Sequence, residues 1–132
     1  MNMTVTNVDL GSVILSEASF RDELLTFAGA ATIKEGTILA RDTGTNKLVP
    51  FVKGGVANGN GIPNSIVTYD VTADAAGDVA VRVGVSGKYR KERLVIDADG
   101  DATNVDSAVI DQLRDFGLVP IDVEELAKLD NQ

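Results

Sequence analysis

The chain has 132 residues and a formal net charge of −8, and it contains neither cysteine nor histidine. The length suits one domain with its own core. The missing residue types exclude disulfides, thiolate metal sites and every catalytic triad with a histidine base.

The remaining composition also disfavours nucleic acid, membrane and cofactor as partners. A phosphate backbone repels an acidic surface, and the one basic cluster, Lys88, Arg90, Lys91 and Arg93, is more typical of a charged strand face than of a binding patch. No apolar run reaches the roughly 18 residues of a spanning helix, and the N-terminus lacks the pattern of a signal peptide. No carboxylate pair stands out with an apolar shield, so we expect no enzyme and no cofactor.

The N-terminal segment divides into two parts. Residues 1–18 show no sustained hydrophobic period, which predicts a flexible arm. For residues 19–28 two interpretations remain open. Ser19 and Asp22 resemble a capping box, and the apolar spacing fits a short helix that packs on the core. The alternative is an extended docking segment, rich in Phe and Leu, that becomes ordered only against a partner.

From Thr32 onward the pattern predicts strands. Residues 37–40 and 47–52 form a hairpin around a turn at 42–46, and Pro50 predicts an edge strand or a bulge because it cannot donate a ladder hydrogen bond. Residues 54–64 are a loop by composition. Further strands are predicted at 65–71, 78–85 and 89–96, with a turn at Ser86 and Gly87 between the last two.

A helix is predicted at residues 106–116. Its apolar stripe has helical spacing, Asp106 suits the N-cap, and Gly117 suits the position just after the C-terminus. Residues 118–123 predict a final strand or an extended tail.

Two short motifs have ordinary explanations. The alternating Asp97, Asp99 and Asp101 resemble calcium ligands, but Ala102 and Ala108 occupy the positions where an EF-hand loop needs Gly and an acidic residue. A solvated acidic loop before a helix explains them better. The glycines between 54 and 61 fit neither a dinucleotide-binding fingerprint nor a P-loop.

Three segments follow one another along the chain: GTILA at 36–40 followed by NKLV at 46–49, VSGKYR at 85–90, and the helix at 106–116 with the extended stretch near Pro120 and Ile121. In this order they resemble the lambda-type head decoration protein family of bacteriophages. The resemblance covers about two thirds of the chain, and the order and spacing of the pieces carry it.

The resemblance implies a mainly β (α+β) fold: a compact β-tulip-like or small barrel-like domain with one short helix and a flexible N-terminal arm. Residues 1–31 would be the capsid-binding arm and residues 32–132 the decoration domain. The implied protein is a homotrimer on the outer surface of the expanded head, present in the host cytoplasm during assembly. It binds the major capsid protein and resists genome pressure. The candidate capsid-binding residues are Phe20, Arg21, Leu24, Leu25 and Phe27.

Other functions from different classes remain as alternatives. A tail-tube or fibre subunit would also be a β-rich virion protein, and it would polymerise. A glycan-binding module would need aromatic side chains to stack on sugars, and the chain has no Trp and only two Tyr.

Overall fold

The computed structural model describes residues 13–122, which form eight strands, one α-helix and one 3-10 turn. The strands are β1 (Ile14–Phe27), β2 (Ala31–Ile33), β3 (Ile38–Arg41), β4 (Leu48–Pro50), β5 (Pro63–Val67), β6 (Val71–Ala73), β7 (Gly77–Arg90) and β8 (Leu118–Ile121). The helix is α1 (Ser107–Asp115), and the 3-10 turn covers Lys91–Arg93.

Five strands close into a small barrel. Their order is β1-β4-β3-β5-β7, and β7 closes the barrel by pairing with β1. Strand β8 extends the sheet by pairing in parallel with the far end of β7, and β2 and β6 form a separate two-stranded sheet. The expected fold class, mainly β with a small barrel and one short helix, is therefore confirmed for the described part of the chain.

The longest pairing joins β1 and β7, which run antiparallel from Ile14↔Tyr89 to Phe27↔Gly77. For residues 19–28 the helical interpretation is therefore wrong. Residues 19–27 are extended, but they are ordered by pairing with β7 of the same chain and not only against a partner. Local helix preference is worth only a few tenths of a kcal/mol per residue. It is overridden here because alternate residues at the end of β1, Leu25 and Phe27, are buried in the barrel.

The predicted turn at Ser86 and Gly87 is also wrong, because β7 runs straight through both residues. Gly87 has φ of 115°, and an added Cβ would lie 2.5 Å from the Cα of Ala18 on β1. The glycine thus lets two strands approach closely at an irregularity in their register, and does not end a strand. The predicted strand at 89–96 is interrupted by the 3-10 turn.

Two further strand predictions need correction. The strand predicted at 65–71 is two strands, since β5 ends at Val67 and β6 begins at Val71. Strand β4 is not at an edge, because it lies between β1 and β3. Pro50 is tolerated there because it is the last residue of β4, beyond the single Leu25↔Leu48 pairing with β1.

The sheet is covered by apolar side chains on both faces. One set, the barrel cluster, takes residues from all five barrel strands: Leu25, Phe27, Leu39, Leu48, Val67, Val81 and Val83, together with Ile33 and Val71. The other set, the helix cluster, joins α1 and β8 to the opposite face of β3 and β5: it includes Ile38, Ile66, Tyr89, Val109, Leu113 and Leu118. Neighbouring residues such as Ile38 and Leu39 enter different clusters because successive strand side chains point to opposite faces.

The predicted helix is confirmed. The side chain of Asp106 accepts a hydrogen bond from the Val109 backbone N–H at 3.1 Å and caps the N-terminus. Val109 and Leu113 are buried, whereas Phe116, expected on the same apolar stripe, is 50% exposed just beyond the last turn. Gly117 follows with φ of 82°, as a residue after a helix C-terminus often does.

Candidate interaction surface

The outer face of the β1–β7 pair carries large apolar side chains that contact solvent. Because Leu25 and Phe27 point into the barrel cluster, the even-numbered residues of the regular part of β1, residues 20–27, point outward. Phe20 is 41% exposed opposite Gly84, and Leu24 is 43% exposed opposite Ala80. Exposed side chains of this size in one place are typical of an interaction surface.

Tyr69 extends this surface beyond β1. It is 46% exposed, and its hydroxyl accepts a hydrogen bond from the Arg82 backbone N–H at 3.2 Å. The Thr68 hydroxyl donates to the Arg82 carbonyl at 2.9 Å. Both main-chain groups of Arg82 are thus satisfied by side chains. We call Phe20, Leu24 and Tyr69 the ribbon patch.

Charged side chains lie within the ribbon patch. Asp22 lies between Phe20 and Leu24 on β1, and its carboxylate is 3.3 Å from Nε of Arg82. The side chains of this pair are 72% and 62% exposed, so water screens the interaction and it adds little to stability. An exposed ion pair beside apolar groups can exchange partners when another protein covers it.

The five candidate residues of the sequence prediction are divided by the structure. Phe20, Arg21 and Leu24 are exposed, and the Arg21 guanidinium is 3.6 Å from Glu23. Leu25 and Phe27 are 0% and 4% exposed within the barrel cluster. The capsid-binding role remains a prediction for all five residues. Only Phe20, Arg21 and Leu24 are exposed enough to contact another protein without a change in the fold. Tyr69 was missed because its place depends on how the chain continues after β5, which no local pattern encodes.

Two of the four members of the basic cluster on β7 and the 3-10 turn have acidic neighbours. Lys88 lies 3.4 Å from Glu17, and Arg90 lies 3.8 Å from Glu92. The Arg90 side chain is only 12% exposed. These contacts favour the charged strand face that the sequence suggested.

The carboxylates of the acidic loop, residues 97–104, accept hydrogen bonds from other residues of the same loop. The Thr103 hydroxyl and the Thr103 backbone N–H, the latter at 2.9 Å, hydrogen-bond to the Asp101 carboxylate and lower the pKa of Asp101. Asp99 accepts from the Asn104 amide at 2.9 Å. Within residues 13–122 no group of three or more acidic side chains is arranged to hold a metal ion.

The motifs that resemble the decoration family occupy structural positions. A Cβ at Gly36 would lie 2.0 Å from the Arg93 carbonyl oxygen, so the GTILA segment needs glycine where β3 begins. In VSGKYR, the buried Tyr89 hydroxyl donates to the Ser86 carbonyl at 2.9 Å, and burial raises its pKa to about 12. These residues fix the paths of β3 and β7, and thereby position the ribbon patch.

The comparisons with known proteins agree with this architecture. Residues 3–118 match the family model described as bacteriophage lambda head decoration protein D. A search of curated proteins gave no significant match. No helix within residues 13–122 is long and apolar enough to cross a membrane. The matched region takes in the barrel, the helix and the ribbon patch, and the chain therefore belongs to the bacteriophage lambda head decoration protein D family, whose role in the phage capsid is structural.

Proposed function

We propose that this protein binds the outside of the mature, expanded phage head as a homotrimer and stabilises the capsid against internal genome pressure. Its partners are the major capsid protein and two further copies of itself. It is present in the host cytoplasm during assembly and then on the virion surface. The observation that carries the proposal is the ribbon patch on a chain of the head decoration family.

The composition of the ribbon patch suits contact with another protein. Aromatic and aliphatic side chains supply apolar area, and the exposed Asp22–Arg82 pair supplies polar groups at its centre. Protein interfaces favour this combination of aromatic and Arg residues. Because the patch lies on two long paired strands, few side chains need to become ordered on binding, which reduces the entropic cost.

The predicted arm is best divided into two functional parts. Val13 is fully buried, its N–H donates to the Glu35 carboxylate at 3.0 Å, and its carbonyl accepts from the Arg90 N–H at 2.7 Å. Residues 14–27 form β1. We therefore propose that the capsid-binding function assigned to residues 1–31 is shared between the outward face of β1 and the residues that precede Val13.

Trimer formation would multiply the effect of a modest contact. Once one copy of a trimer is bound, the other two copies are held at a high effective concentration near their sites. The overall avidity of the trimer therefore greatly exceeds the affinity of one copy. A ligand that binds only the expanded shell stabilises that state by mass action. This is sufficient for a cement protein and requires no catalytic group.

The test is co-sedimentation with undecorated heads of the cognate phage, comparing expanded with compact shells. We expect wild-type protein to saturate expanded shells near three copies per three-fold site and to leave compact shells bare. Leu24→Asp should lower the affinity at least about tenfold, because it places a charge in an apolar contact. Ala75→Asp adds the same charge on the exposed turn after β6 and serves as the matched control.

Two results would contradict the proposal. If wild-type protein bound neither shell, the proposed capsid role would be wrong. If Leu24→Asp and Ala75→Asp bound equally well, the ribbon patch would not be the surface that contacts the capsid. Decorated heads should also retain their genome at higher temperature than bare heads, and equal release temperatures would refute stabilisation.

A further inference from the structure

A second apolar surface surrounds the loop between β4 and β5. Val52, Val56 and Ile62 of this loop are 41%, 96% and 54% exposed, and Phe116 at the end of α1 is 50% exposed. These four residues, the loop patch, make up four of the seven large apolar side chains that are exposed within residues 13–122. The other three are the ribbon patch.

The loop has a defined conformation, although its composition predicts only an irregular connection. Val52 N–H donates to the Asn60 carbonyl at 2.8 Å, and Asn60 N–H donates to the Ala57 carbonyl at 3.0 Å. The loop is also tied to its surroundings. The Gln112 side chain on α1 donates to the Gly61 carbonyl at 3.1 Å, and Thr43 N–H donates to the Asn58 carbonyl at 3.0 Å.

The two sides of the loop pack so closely that some positions accept only glycine. A Cβ at Gly61 would lie 2.1 Å from the Gly55 carbonyl oxygen, so the two sides of the loop touch. Asn58 adopts the left-handed region with φ of 50°. An uncommon backbone conformation of this kind is often kept where it serves binding. Val56 is 96% exposed at the tip of this hydrogen-bonded loop, so little ordering is needed when a partner covers the tip.

The charge pattern indicates what the partner is. Residues 54–62 of the loop contain no charged side chain, and they begin the longest uncharged stretch of the sequence, 54–69. Lys53, just before it, is neutralised by Asp106 on the helix side, with Nζ 2.5 Å from the carboxylate. Two copies that each carry a net charge of −8 repel each other. They associate with least electrostatic cost through a surface that lacks charge, as interface cores generally do.

The ribbon patch has the opposite character. Asp22 and Arg82 lie within it, with side chains that are 72% and 62% exposed. Such charges suit recognition of a different protein, because fixed charges discriminate between partners.

We propose that the loop patch is the surface through which copies of this chain contact one another, and that the ribbon patch is left free for the shell. The assignment rests on the trimer of the proposed function and adds its contact surface. In a cyclic trimer each copy meets two neighbours, and exposed loop tips around a three-fold axis bury apolar area that a single copy leaves in water.

The experiment is site-specific photo-crosslinking on decorated heads. A benzophenone amino acid replaces Val56 in one protein and Leu24 in another, and the covalent products are identified by mass spectrometry. We expect position 56 to give products of two copies of this chain. Position 24 should give a product with the major capsid protein.

The outcomes separate this inference from the proposed function. If position 56 crosslinks to the major capsid protein alone, or to nothing, the inference is overturned while the capsid role stands. If wild-type protein does not decorate heads, the proposed function fails, and the reaction in concentrated free protein decides the inference: a two-copy product supports it and its absence refutes it.

A substitution provides an independent readout. Val56→Asp should weaken self-association at least about tenfold, measured by sedimentation equilibrium or by the concentration dependence of head decoration. Ala75→Asp, with the same added charge, should not. Val56 is 96% exposed, so circular dichroism and the melting temperature should match wild type. Unchanged self-association of Val56→Asp would contradict the proposal.

Discussion

The two faces of strand β1 differ sharply in burial, although they belong to the same 14-residue strand. On one face Leu25 and Phe27 lie in the barrel cluster, and Glu23 is nearly buried against Arg41. On the other face Phe20, Asp22 and Leu24 meet solvent. The alternation of a strand thus places core side chains and solvent-exposed apolar side chains on the same short segment. Substitutions on the two faces should therefore affect different measurements.

The largest effect is expected from shortening the inner face. Leu25→Ala should lower the free energy of unfolding by about 3 kcal/mol, because a fully buried side chain leaves a cavity. The melting temperature should fall by roughly 10 °C. Leu24→Ala, one residue away on the outer face, should change the free energy by less than about 1 kcal/mol. If urea titrations gave similar losses of unfolding free energy for the two variants, the assignment of Leu25 to the inner face and Leu24 to the outer face would be wrong.

A second prediction concerns Gly84 on β7, where the helix cluster covers the outer face of the β1–β7 pair. An added Cβ would lie 2.0 Å from the hydroxyl oxygen of buried Tyr89. Gly84→Ala should therefore cost about 2 kcal/mol through overpacking.

The cause can be checked with a double mutant. Tyr89→Phe removes the oxygen atom closest to the new methyl group, so in the Gly84→Ala background it should cost less than it does in wild type. Additive losses would show that the strain arises elsewhere in β7.

A smaller effect is expected from the inner ion pair. Both Glu23 carboxylate oxygens accept hydrogen bonds from the Arg41 guanidinium, at 2.9 and 3.3 Å, and the Glu23 side chain is 14% exposed. Glu23→Gln should lower the free energy of unfolding by about 1 to 2 kcal/mol. Asp22→Asn breaks the exposed pair with Arg82 and should cost less than about 0.5 kcal/mol. An equal cost for the two would contradict the assignment of faces.

The smallest effect is a pH dependence on the outer face. The Asp78 carboxylate accepts from Lys47 Nζ at 2.6 Å and from the Thr26 hydroxyl at 2.8 Å, and these bonds lower its pKa from 3.8. The stabilisation is present above pH 3.8 and is lost as the pH falls through the lower pKa of the folded state. Asp78→Asn should therefore lose slightly less melting temperature than wild type between pH 5 and pH 2. An identical fall in melting temperature for the two proteins would show that the Asp78 carboxylate does not contribute to the pH dependence of stability.

Strand alternation and capping were accessible from local sequence. Val79, Val81, Val83 and Val85 share one face because side chains alternate, and Asp106 caps α1 because its carboxylate reaches a free backbone N–H. The family resemblance depended on glycines and a tyrosine that determine backbone paths, such as Gly36 and Tyr89. It therefore identified the fold more directly than it identified a binding site.

Local sequence could not specify which partner each segment meets. Residues 19–28 have a helical pattern, but residues 19–27 form the second half of strand β1 because β7 offers a pairing partner as far as Phe27. The same pairing buried Leu25 and Phe27 and left Phe20, Arg21 and Leu24 exposed. Composition predicted a connecting loop at 54–64, whereas contacts to the turn after β3 and to α1 give it a defined form.

A β-rich domain with one capped helix, a composition without the usual catalytic groups, and a family were all predictable from the amino-acid sequence. These properties follow from residue identities and short-range periodicity. The three-dimensional packing was needed to show that β1 closes a barrel and that two separate apolar patches are exposed within residues 13–122. Which side chains a strand buries depends on register and on distant neighbours, and both are set by long-range packing that no local window of sequence contains.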